Sequence, residues 1–279
     1  MKYWQTSRRE IPLERPLVMA ILNVTPDSFS DGGEFLSVEA ALKQAEKLIG
    51  DGADIIDIGG ESTRPGSQRV SGEAEILRVI PVIEAIAKRF ETPISVDTTK
   101  SEVAEKAIEA GAEIINDISG LRFDPRIADI AASSNAGLVL MNSRGSHDTM
   151  HHQPVIDDIL REVNSDLHRA IDLAKTRGVF DEQVVLDVGI GFSKTFEQNL
   201  ELLAKLDKLV AEFKGYPMMV GTSRKSFLAR ILGEMPPTER LGGSLATAIF
   251  AVIKGANIIR AHDVRETVNA LRVISVIPK

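Results

Sequence analysis

Short apolar runs alternate with longer amphipathic stretches along almost the whole chain of 279 residues. These runs cover residues 18–22, 55–58, 94–96, 114–115, 138–141, 184–186, 218–220 and 258–259. Each run is followed by a polar or glycine-rich loop and then by a helical pattern. Near-continuous apolar runs are typical of parallel strands that are buried on both faces. The pattern therefore predicts eight strand-helix units.

Three of the amphipathic stretches carry clear helix signals. Residues 195–213 place leucines at helical spacing, and Thr195 with Gln198 forms a capping-box pattern at their start. Residues 263–277 repeat this arrangement, with Asp263 and Glu266 at the start. Residues 71–90 predict a helix that bends at Pro81. We expect one helix in each stretch.

A weak internal repeat supports the alternation. The segments "GADII", "GAEII" and "GANII" begin at Gly52, Gly111 and Gly255, and each is placed to end a helix and open a strand. Eight units in one chain predict a (β/α)8 TIM barrel, a single domain over residues 17–279 behind an N-terminal extension of residues 1–16. A doubly wound sheet is the main alternative, but "NVTPDSFSDGG" after the first strand lacks the G-x-G-x-x-G pattern.

Composition and charge narrow the classes of function. The net charge of −7 argues against general affinity for nucleic acid or an anionic membrane surface. The sequence has no cysteine, which excludes disulfides and thiolate metal sites. It also has no long apolar stretch and no apolar segment near its first residue, so we expect a cytoplasmic protein.

Polar residues follow nearly all of the predicted strands, and in a barrel these ends converge on one mouth. Asn23, ahead of the loop at residues 25–33, offers a carboxamide oxygen that suits Mg²⁺ when substrate phosphates complete the shell. A second group suits phosphate oxygens through hydroxyl, guanidinium and imidazole donors. It consists of Ser62, Thr63, Arg64, Arg260 and His262.

A third group consists of acceptors at strand ends, Asp97, Asn116 and Asp187, with Lys225 as a donor. Such a set fits a flat heterocycle with N–H groups along one edge and a carbonyl or ring nitrogen along another. Helix capping is an equally good interpretation for three other strand-end residues, and a weaker one for Asp187. These three are Thr98, Asp117 and Asp263.

Two further patterns are set aside. Residues 189–195, "GIGFSKT", lack the glycine that a phosphate-binding P-loop places before the lysine. His147, His151 and His152 fall in a long loop, where solvated side chains are a better interpretation than metal ligands.

With these residues in view, the chain resembles the dihydropteroate synthases, the pterin-binding barrels of folate synthesis. The resemblance runs in the family's order from about residue 17 to 277. It rests on the segments "ILNVTPDSFSDGG", "GADIIDIGGESTRPGS", "ISVDTTK", "IINDISG", "LDVGIGFSK", "VGTSRKSF", "ERLGGSLATA" and "GANIIRAHDVRETV". It implies a reaction that joins 6-hydroxymethyl-7,8-dihydropterin diphosphate to p-aminobenzoate, giving 7,8-dihydropteroate and diphosphate. It also implies Mg²⁺ as cofactor and a homodimer formed through outer helices.

The resemblance implies a role for each matching position. The pterin ligands would be Asp97, Asn116, Asp187, Lys225 and Arg260. The diphosphate ligands would be Asn23, Thr63, Arg64, Arg260 and His262, with Asn23 also on Mg²⁺. The p-aminobenzoate site would be formed by Phe29, Thr63, Arg64, Pro65, Phe192 and Ser226. Catalysis would depend on Asp97, Lys225 and Arg260, through a dissociative mechanism in which Asp97 stabilises the pterin methylene cation.

Two positions depart from the family pattern. The chain has Asp187-Val188-Gly189 where the family usually has Asp-Pro-Gly, and Asn142-Ser143 where a His-Met pair usually follows the fifth strand. Two other functions stay open: a corrinoid methyltransferase that binds a methyltetrahydrofolate on the same barrel, and a non-catalytic pterin-binding paralogue. The segments "NVTPDSFSDGG" and "STRPG" favour the synthase, because the methyltransferase needs no diphosphate site.

Overall fold

The structure, a computed structural model, describes residues 3–25, 34–62, 67, 69–145, 149 and 153–277, with the backbone alone for residues 34–37. Two short strands, β1 (Tyr3–Gln5) and β2 (Glu10–Pro12), form an antiparallel hairpin at the start. Eight parallel strands then close a barrel in chain order, and the last strand pairs with the first. They are β3 (Leu17–Asn23), β4 (Ile55–Gly59), β5 (Ile94–Asp97), β6 (Ile114–Asp117), β7 (Gly137–Met141), β8 (Val184–Asp187), β9 (Met218–Val220) and β10 (Ile258–Ala261).

Every apolar run predicted as a strand lies in one of these eight barrel strands, so the (β/α)8 prediction is confirmed. The helices that surround the barrel are α1 (Glu34–Gly50), α2 (Gly72–Arg89), α3 (Ser101–Ala110), α4 (Arg126–Ser134), α5 (Ile159–Thr176), α6 (Phe196–Ala204), α7 (Leu206–Glu212), α8 (Ser226–Leu232), α9 (Leu241–Ile253) and α10 (Val264–Ser275). Within the described residues, no helix is both long enough and apolar enough to cross a membrane.

Two helix predictions need correction. Residues 195–213 form two helices, α6 and α7, which are separated at Lys205. Apolar spacing cannot detect this break, because leucines three or four positions apart line one face with or without it. The capping box at Thr195 and Gln198 is confirmed. Asp263, in contrast, makes no capping bond to α10, since its carboxylate accepts hydrogen bonds from Arg224.

The three glycines of the internal repeat share one backbone conformation. Gly52, Gly111 and Gly255 have φ angles of 100°, 120° and 105°, and each lies between a helix and the next barrel strand. A side chain on Cβ disfavours this left-handed region, so glycine ends the helix with little strain. The repeat thus marks the point where three helices turn back into the barrel.

The hairpin β1–β2 closes the amino-terminal end of the barrel. Trp4 is fully buried there, and its indole Nε1 donates to the carbonyl of Gln183 at 2.7 Å. Arg9 reaches Glu113 just ahead of β6, with Nη2 2.8 Å from Oε1. A cluster of buried apolar residues from β2 and the barrel strands packs with Trp4. Its members are Ile11, Leu17, Met19, Ile55, Ile114, Val139, Val185, Met219 and Ile258. The described part of the predicted N-terminal extension, residues 3–16, therefore contributes the floor of the barrel.

Trp4 is the residue whose loss should weaken this floor most. We expect Trp4→Ala to lower the free energy of unfolding by about 3–5 kcal/mol, because a large buried ring leaves a cavity that the barrel cannot collapse into. The measurement is urea unfolding followed by circular dichroism, since Trp4 is the single tryptophan of the chain.

Trp4→Phe is the matched control, because it keeps a ring and removes the bond to Gln183. It should cost about 1–2 kcal/mol. Equal unfolding midpoints for Trp4→Ala and the wild type would contradict a structural role for the hairpin.

Candidate active site

The carboxyl ends of neighbouring strands bring polar side chains together at the open mouth. Asn23 pairs in register with Gly59, Gly59 with Asp97, and Asp97 with Asn116. Alternate residues of a strand point to the same face, so Asp57 lies on the same side as Gly59 and one layer deeper. The predicted residues Asn23, Asp97 and Asn116 therefore occupy one ring of the barrel, directly above Asp57.

Arg260 is the cation around which this ring is organised. Its Nε donates to Asp57 Oδ2 at 2.6 Å, and its Nη2 donates to Asp97 Oδ2 at 2.7 Å. The same Asp57 oxygen accepts from Asn116 Nδ2 at 3.0 Å. One guanidinium thus faces two carboxylates that belong to β4 and β5, and it draws three strands of the barrel together.

Burial changes the protonation of this group. The pKa of Asp97 is raised to about 7, chiefly because burial disfavours its charge and although Arg260 opposes the shift. The carboxylate of Asp57 adds to the rise. Burial lowers the pKa of Lys225 to about 8, with Arg260 acting in the same direction. The mouth therefore holds a carboxyl and an amine that both titrate near neutral pH.

Two oxygen atoms of the cluster have no protein partner among the described residues. They are Asp57 Oδ1 and Asn116 Oδ1, both fully buried. Most buried polar atoms in proteins are hydrogen-bonded, because an unpaired one is costly. These two acceptors are therefore available to N–H or O–H donors from a water molecule or a ligand.

Asp187 lies at the end of β8 and is also buried, which raises its pKa. Its Oδ1 accepts the backbone N–H of Gly189 at 2.7 Å, so it shapes the turn that follows rather than the start of α6. In the loop after the neighbouring strand β9, Lys225 Nζ lies 3.8 Å from the centre of the Phe192 ring. An ammonium over a ring face is a cation–π contact, and it fixes Phe192 beside Lys225.

His262 follows β10 and faces the next loop. Its Nδ1 lies 3.0 Å from Ser223 Oγ, and the same hydroxyl accepts the backbone N–H of His262 at 3.1 Å. Burial, with Arg224 and Arg260 nearby, lowers the pKa of His262 to about 3. The ring is therefore neutral at physiological pH. Ser226, the first residue of α8, is exposed at the rim.

The chemistry of Asn23 suits a hard cation, although its neighbourhood is not a complete cage. Its Oδ1 and Asp97 Oδ2 lie on either side of the space that a side chain at Gly59 would fill, each 3.8 Å from that point. Among the described residues, no cluster of three His, Cys, Asp or Glu side chains could hold a metal on its own. A cation bound here would need ligand oxygens from a substrate, which is common for Mg²⁺.

Four predicted residues lie outside the described part of the chain: Phe29, Thr63, Arg64 and Pro65. The base of the segment that carries the last three is nevertheless fixed. Glu61 Oε1 accepts the backbone N–H of Val70 at 2.7 Å, and Glu61 Oε2 binds Lys100 Nζ at 2.6 Å. Lys100 also binds the fully buried Glu75. The two ends of residues 61–70 are thus held together by a buried ionic cluster.

Asp57 is the main residue to which the sequence-based prediction assigned no role. Its signal was present, since it is a charged residue inside the otherwise apolar strand "IIDIG". Helix capping, the other interpretation of Thr98 and Asp117, is wrong for both, because α3 and α4 begin after Lys100 and Pro125 without a side-chain capping bond. Asp117 accepts the N–H groups of Ser119 and Leu121 and so shapes a loop, whereas Thr98 Oγ1 accepts from Lys100 N at 3.3 Å.

Comparison with known proteins matches this geometry to one family. Residues 19–262 match the model of the pterin-binding enzymes. The dihydropteroate synthase of Escherichia coli K12 is 49% identical over 266 residues, which is 95% of this chain and 92% of that protein. The dihydropteroate synthase of Synechocystis is 48% identical over 251 residues, or 90% of this chain and 86% of that protein.

Solved structures give the same result. The Xanthomonas albilineans dihydropteroate synthase with 4-aminobenzoic acid superimposes with a TM-score of 0.91 at 41% identity, covering 99% of this chain and 100% of that one. The same enzyme in complex with 7,8-dihydropteroate gives 0.87 at 39% identity, with 98% and 100% covered. The chain therefore belongs to the pterin-binding enzyme family, among its dihydropteroate synthases.

Proposed function

We propose that the mouth of this barrel condenses 6-hydroxymethyl-7,8-dihydropterin diphosphate with p-aminobenzoate, giving 7,8-dihydropteroate and diphosphate for folate synthesis. The observation that carries the proposal is the buried acceptor set at the strand ends, in which Asp57 Oδ1 and Asn116 Oδ1 lack partners. A pterin offers amino and ring N–H groups along its edges, which such acceptors would bind. Arg260 lies among them as the complementary cation.

The pterin would lie across the inner ring of the mouth. Asp97, Asn116 and Asp187 would accept its N–H groups, and Lys225 would donate to its carbonyl or ring nitrogen. Arg260 would leave part of its contact with Asp97 to lie against the pterin ring. Because Asp187 is buried and Asp97 is largely shielded, each hydrogen bond to them forms in a place with little competing water.

The diphosphate would lie at the rim, between the loops that follow the first, second and last barrel strands. Arg260 and Arg64 would supply guanidinium donors, while Thr63 and the neutral His262 would supply uncharged ones. Asn23 would hold Mg²⁺ through its amide oxygen, with phosphate oxygens and water as the other ligands. When bound, Mg²⁺ neutralises the charge that develops on the departing diphosphate.

In the reaction, the bond between the pterin methylene carbon and the diphosphate oxygen breaks, and the electron pair leaves with diphosphate. The resulting cation is delocalised into the dihydropterin ring, next to Asp97, whose carboxylate would stabilise it. The aniline nitrogen of p-aminobenzoate then attacks the methylene carbon and loses a proton to solvent. Phe29, Pro65, Phe192, Thr63 and Ser226 would form the p-aminobenzoate side. The route needs no protein nucleophile.

Product formation is the direct test of this proposal. We expect the purified protein to form dihydropteroate and release diphosphate in equal amounts when given dihydropterin diphosphate, p-aminobenzoate and Mg²⁺. Chelation of Mg²⁺ should suppress both products, because the arginines alone would leave part of the charge on the departing diphosphate unbalanced. Chromatography of pteroate and a coupled diphosphate assay provide the measurements.

The two alternative functions give different results in the same assay. A non-catalytic paralogue would bind pterin and yield neither product. A corrinoid methyltransferase would bind methyltetrahydrofolate without any need for diphosphate. Either result, in place of stoichiometric pteroate and diphosphate, would refute the synthase assignment.

Asp187 gives a test at the level of one residue. Asp187→Asn keeps the size of the side chain and its bond to Gly189, but it replaces one acceptor oxygen with a donor that faces a pterin donor. We expect pterin affinity to fall roughly 30-fold to 1000-fold, on the order of 2–4 kcal/mol, with little change in melting temperature. Calorimetry of pterin binding and thermal unfolding give both quantities.

Asp117→Asn, at the end of β6, is the matched control at another strand end. Asp117 accepts three hydrogen bonds from Ser119 and Leu121, and it points away from the face that carries Asn116. This variant should lose about 1–3 kcal/mol of stability and keep pterin affinity within about threefold. Near-native pterin binding by Asp187→Asn would remove Asp187 from the site.

We also propose a homodimer, and a cytoplasmic location on the sequence pattern described above. The dimer is supported by exposed apolar side chains concentrated on the last three helices and the residues after them. These are Ile231, Leu232, Phe250, Ile253, Val273, Val276 and Ile277. A second copy of the chain would remove this surface from water.

A charge in this surface should break the dimer. We expect Ile253→Glu to sediment as a monomer at micromolar concentration, while the wild type sediments as a dimer, because a carboxylate would be buried without a partner. Ile253 is 60% exposed, so the monomer itself should remain folded. Leu77→Glu on α2, at a residue that is 70% exposed, is the control and should stay dimeric. A wild-type monomer would reject the proposal.

A further inference from the structure

Lys194 is a partly buried cation that has no role in the reaction described above. Its ammonium donates to Asn142 Oδ1 at 2.7 Å, to the carbonyl of Gly189 at 2.9 Å and to the carbonyl of Phe192 at 3.0 Å. A longer contact, 3.4 Å, reaches the carbonyl of Asn142. All four acceptors are uncharged. Burial lowers the pKa of Lys194 to about 7, although Asp187 and Asp166 oppose the shift.

The backbone around Lys194 is folded to receive this ammonium. Gly189, Gly191 and Ser193 have φ angles of 68°, 81° and 56°, so every second residue of the turn after β8 is left-handed. The carbonyls of Gly189 and Phe192 consequently converge on one point, where the ammonium lies. Ser193 is unfavourable in this region. Its Oγ compensates by donating to the carbonyl of Arg144 at 3.1 Å.

Asn142 joins Lys194 to the body of the protein. It is fully buried, and both ends of its amide are used. Oδ1 accepts from Lys194, and Nδ2 donates to Asp166 Oδ2 at 2.9 Å. Asp166, on α5, is in turn held by Arg169 Nε at 2.9 Å. Asn142 is one of the two positions that depart from the family pattern, and here its two-ended amide completes a continuous polar chain.

This series of polar contacts ends at Phe192. The ring of Phe192 has Lys225 Nζ over its face, 3.8 Å from its centre, while its backbone carbonyl is bound by Lys194. Its N–H donates to the carbonyl of Gly189 at 3.1 Å, and that carbonyl also binds Lys194. The position of the ring is thus determined by a turn that has the ammonium at its centre.

We propose that Lys194 is a positioning residue for the p-aminobenzoate side of the site: it holds the turn at residues 189–193, with Asn142, so that the Phe192 ring stays against Lys225. The inference rests on the proposed function through the role assigned to Phe192. Lys194 acts through Phe192 and does not touch the substrate. Asp187 belongs to β8 and meets the turn through its bond to the N–H of Gly189, at the strand end of the turn, so we expect the pterin contacts to depend less on Lys194 than the Phe192 ring does.

The test measures the effect of one substitution on p-aminobenzoate and on pterin separately. Lys194→Met keeps the length of the side chain and removes its donors, which takes the ammonium away from Asn142 Oδ1 and from the carbonyl of Phe192 and frees the turn. We expect the KM for p-aminobenzoate to rise about 10-fold to 100-fold, with kcat at saturating p-aminobenzoate within about threefold of wild type. Pterin affinity, measured by calorimetry, should stay within about threefold. Lys194→Arg keeps a cation with several donors, so its KM for p-aminobenzoate should stay close to that of the wild type.

Lys106→Met is the matched control. Lys106 is half exposed on α3 and pairs with Glu109 at the surface. The same substitution there should change neither the KM for p-aminobenzoate nor the affinity for pterin. If Lys194→Met does not fold, Asn142→Ala decides the question, because it removes one acceptor and the tie to Asp166. It should raise the KM for p-aminobenzoate roughly three- to tenfold and leave pterin affinity unchanged.

Three results would overturn the inference. The first is an unchanged KM for p-aminobenzoate in Lys194→Met, or in Asn142→Ala if that variant is used instead. The second is an equal loss of affinity for pterin and p-aminobenzoate. The third is a fall in kcat with no change in KM. An inactive wild type would instead refute the proposed function. Because pterin affinity and melting temperature are measured on every variant, a general loss of structure is recognised by a fall in both.

Discussion

The placement of one guanidinium between two buried carboxylates is the constraint on which the mouth of this barrel depends. Arg260 on β10 bonds Asp57 on β4 and Asp97 on β5, while Asn116 on β6 bonds Asp57 as well. Breaking a buried ion pair typically costs about 3–5 kcal/mol, so none of these residues can change alone without disturbing the others. The cluster is held together as a unit. Its oxygens Asp57 Oδ1 and Asn116 Oδ1 remain able to accept hydrogen bonds from a ligand.

Barrel closure makes this cluster possible. Arg260 and Asp57 are far apart in sequence, and they meet because β10 pairs with β3 and β3 pairs with β4. The strand register places Asn23, Gly59, Asp97 and Asn116 side by side, with a glycine where a side chain would fill the space between Asn23 and Asp97. Local sequence therefore supplies the groups, and closure of the sheet determines their distances.

Much of the fold could be predicted from the chain, because buried parallel strands are apolar and leave a clear signal in the pattern. The break at Lys205 could not, since leucine spacing is the same in one helix or two. The residues of the mouth were found by their position after strands, yet Asp57 was given no role because its partners lie on other strands. Lys194 was considered only as part of a rejected P-loop, and its true surroundings are carbonyls brought together by alternating backbone conformations.

The hairpin that carries Trp4 affects how molecules can enter and leave the barrel. The amino-terminal end of the barrel is closed by a packed floor, so the described polar side chains of the site all lie toward the opposite end, at the carboxyl ends of the strands. Asp57 and Asp187 lie within strands, whereas Phe192 and Ser226 lie in or beyond the loops above them. A molecule bound at the loops therefore lies in the exit path of anything bound below it. If the two substrates bind as proposed, the deeper molecule would enter first, the shallower one would follow, and the joined product would leave by the same end of the barrel.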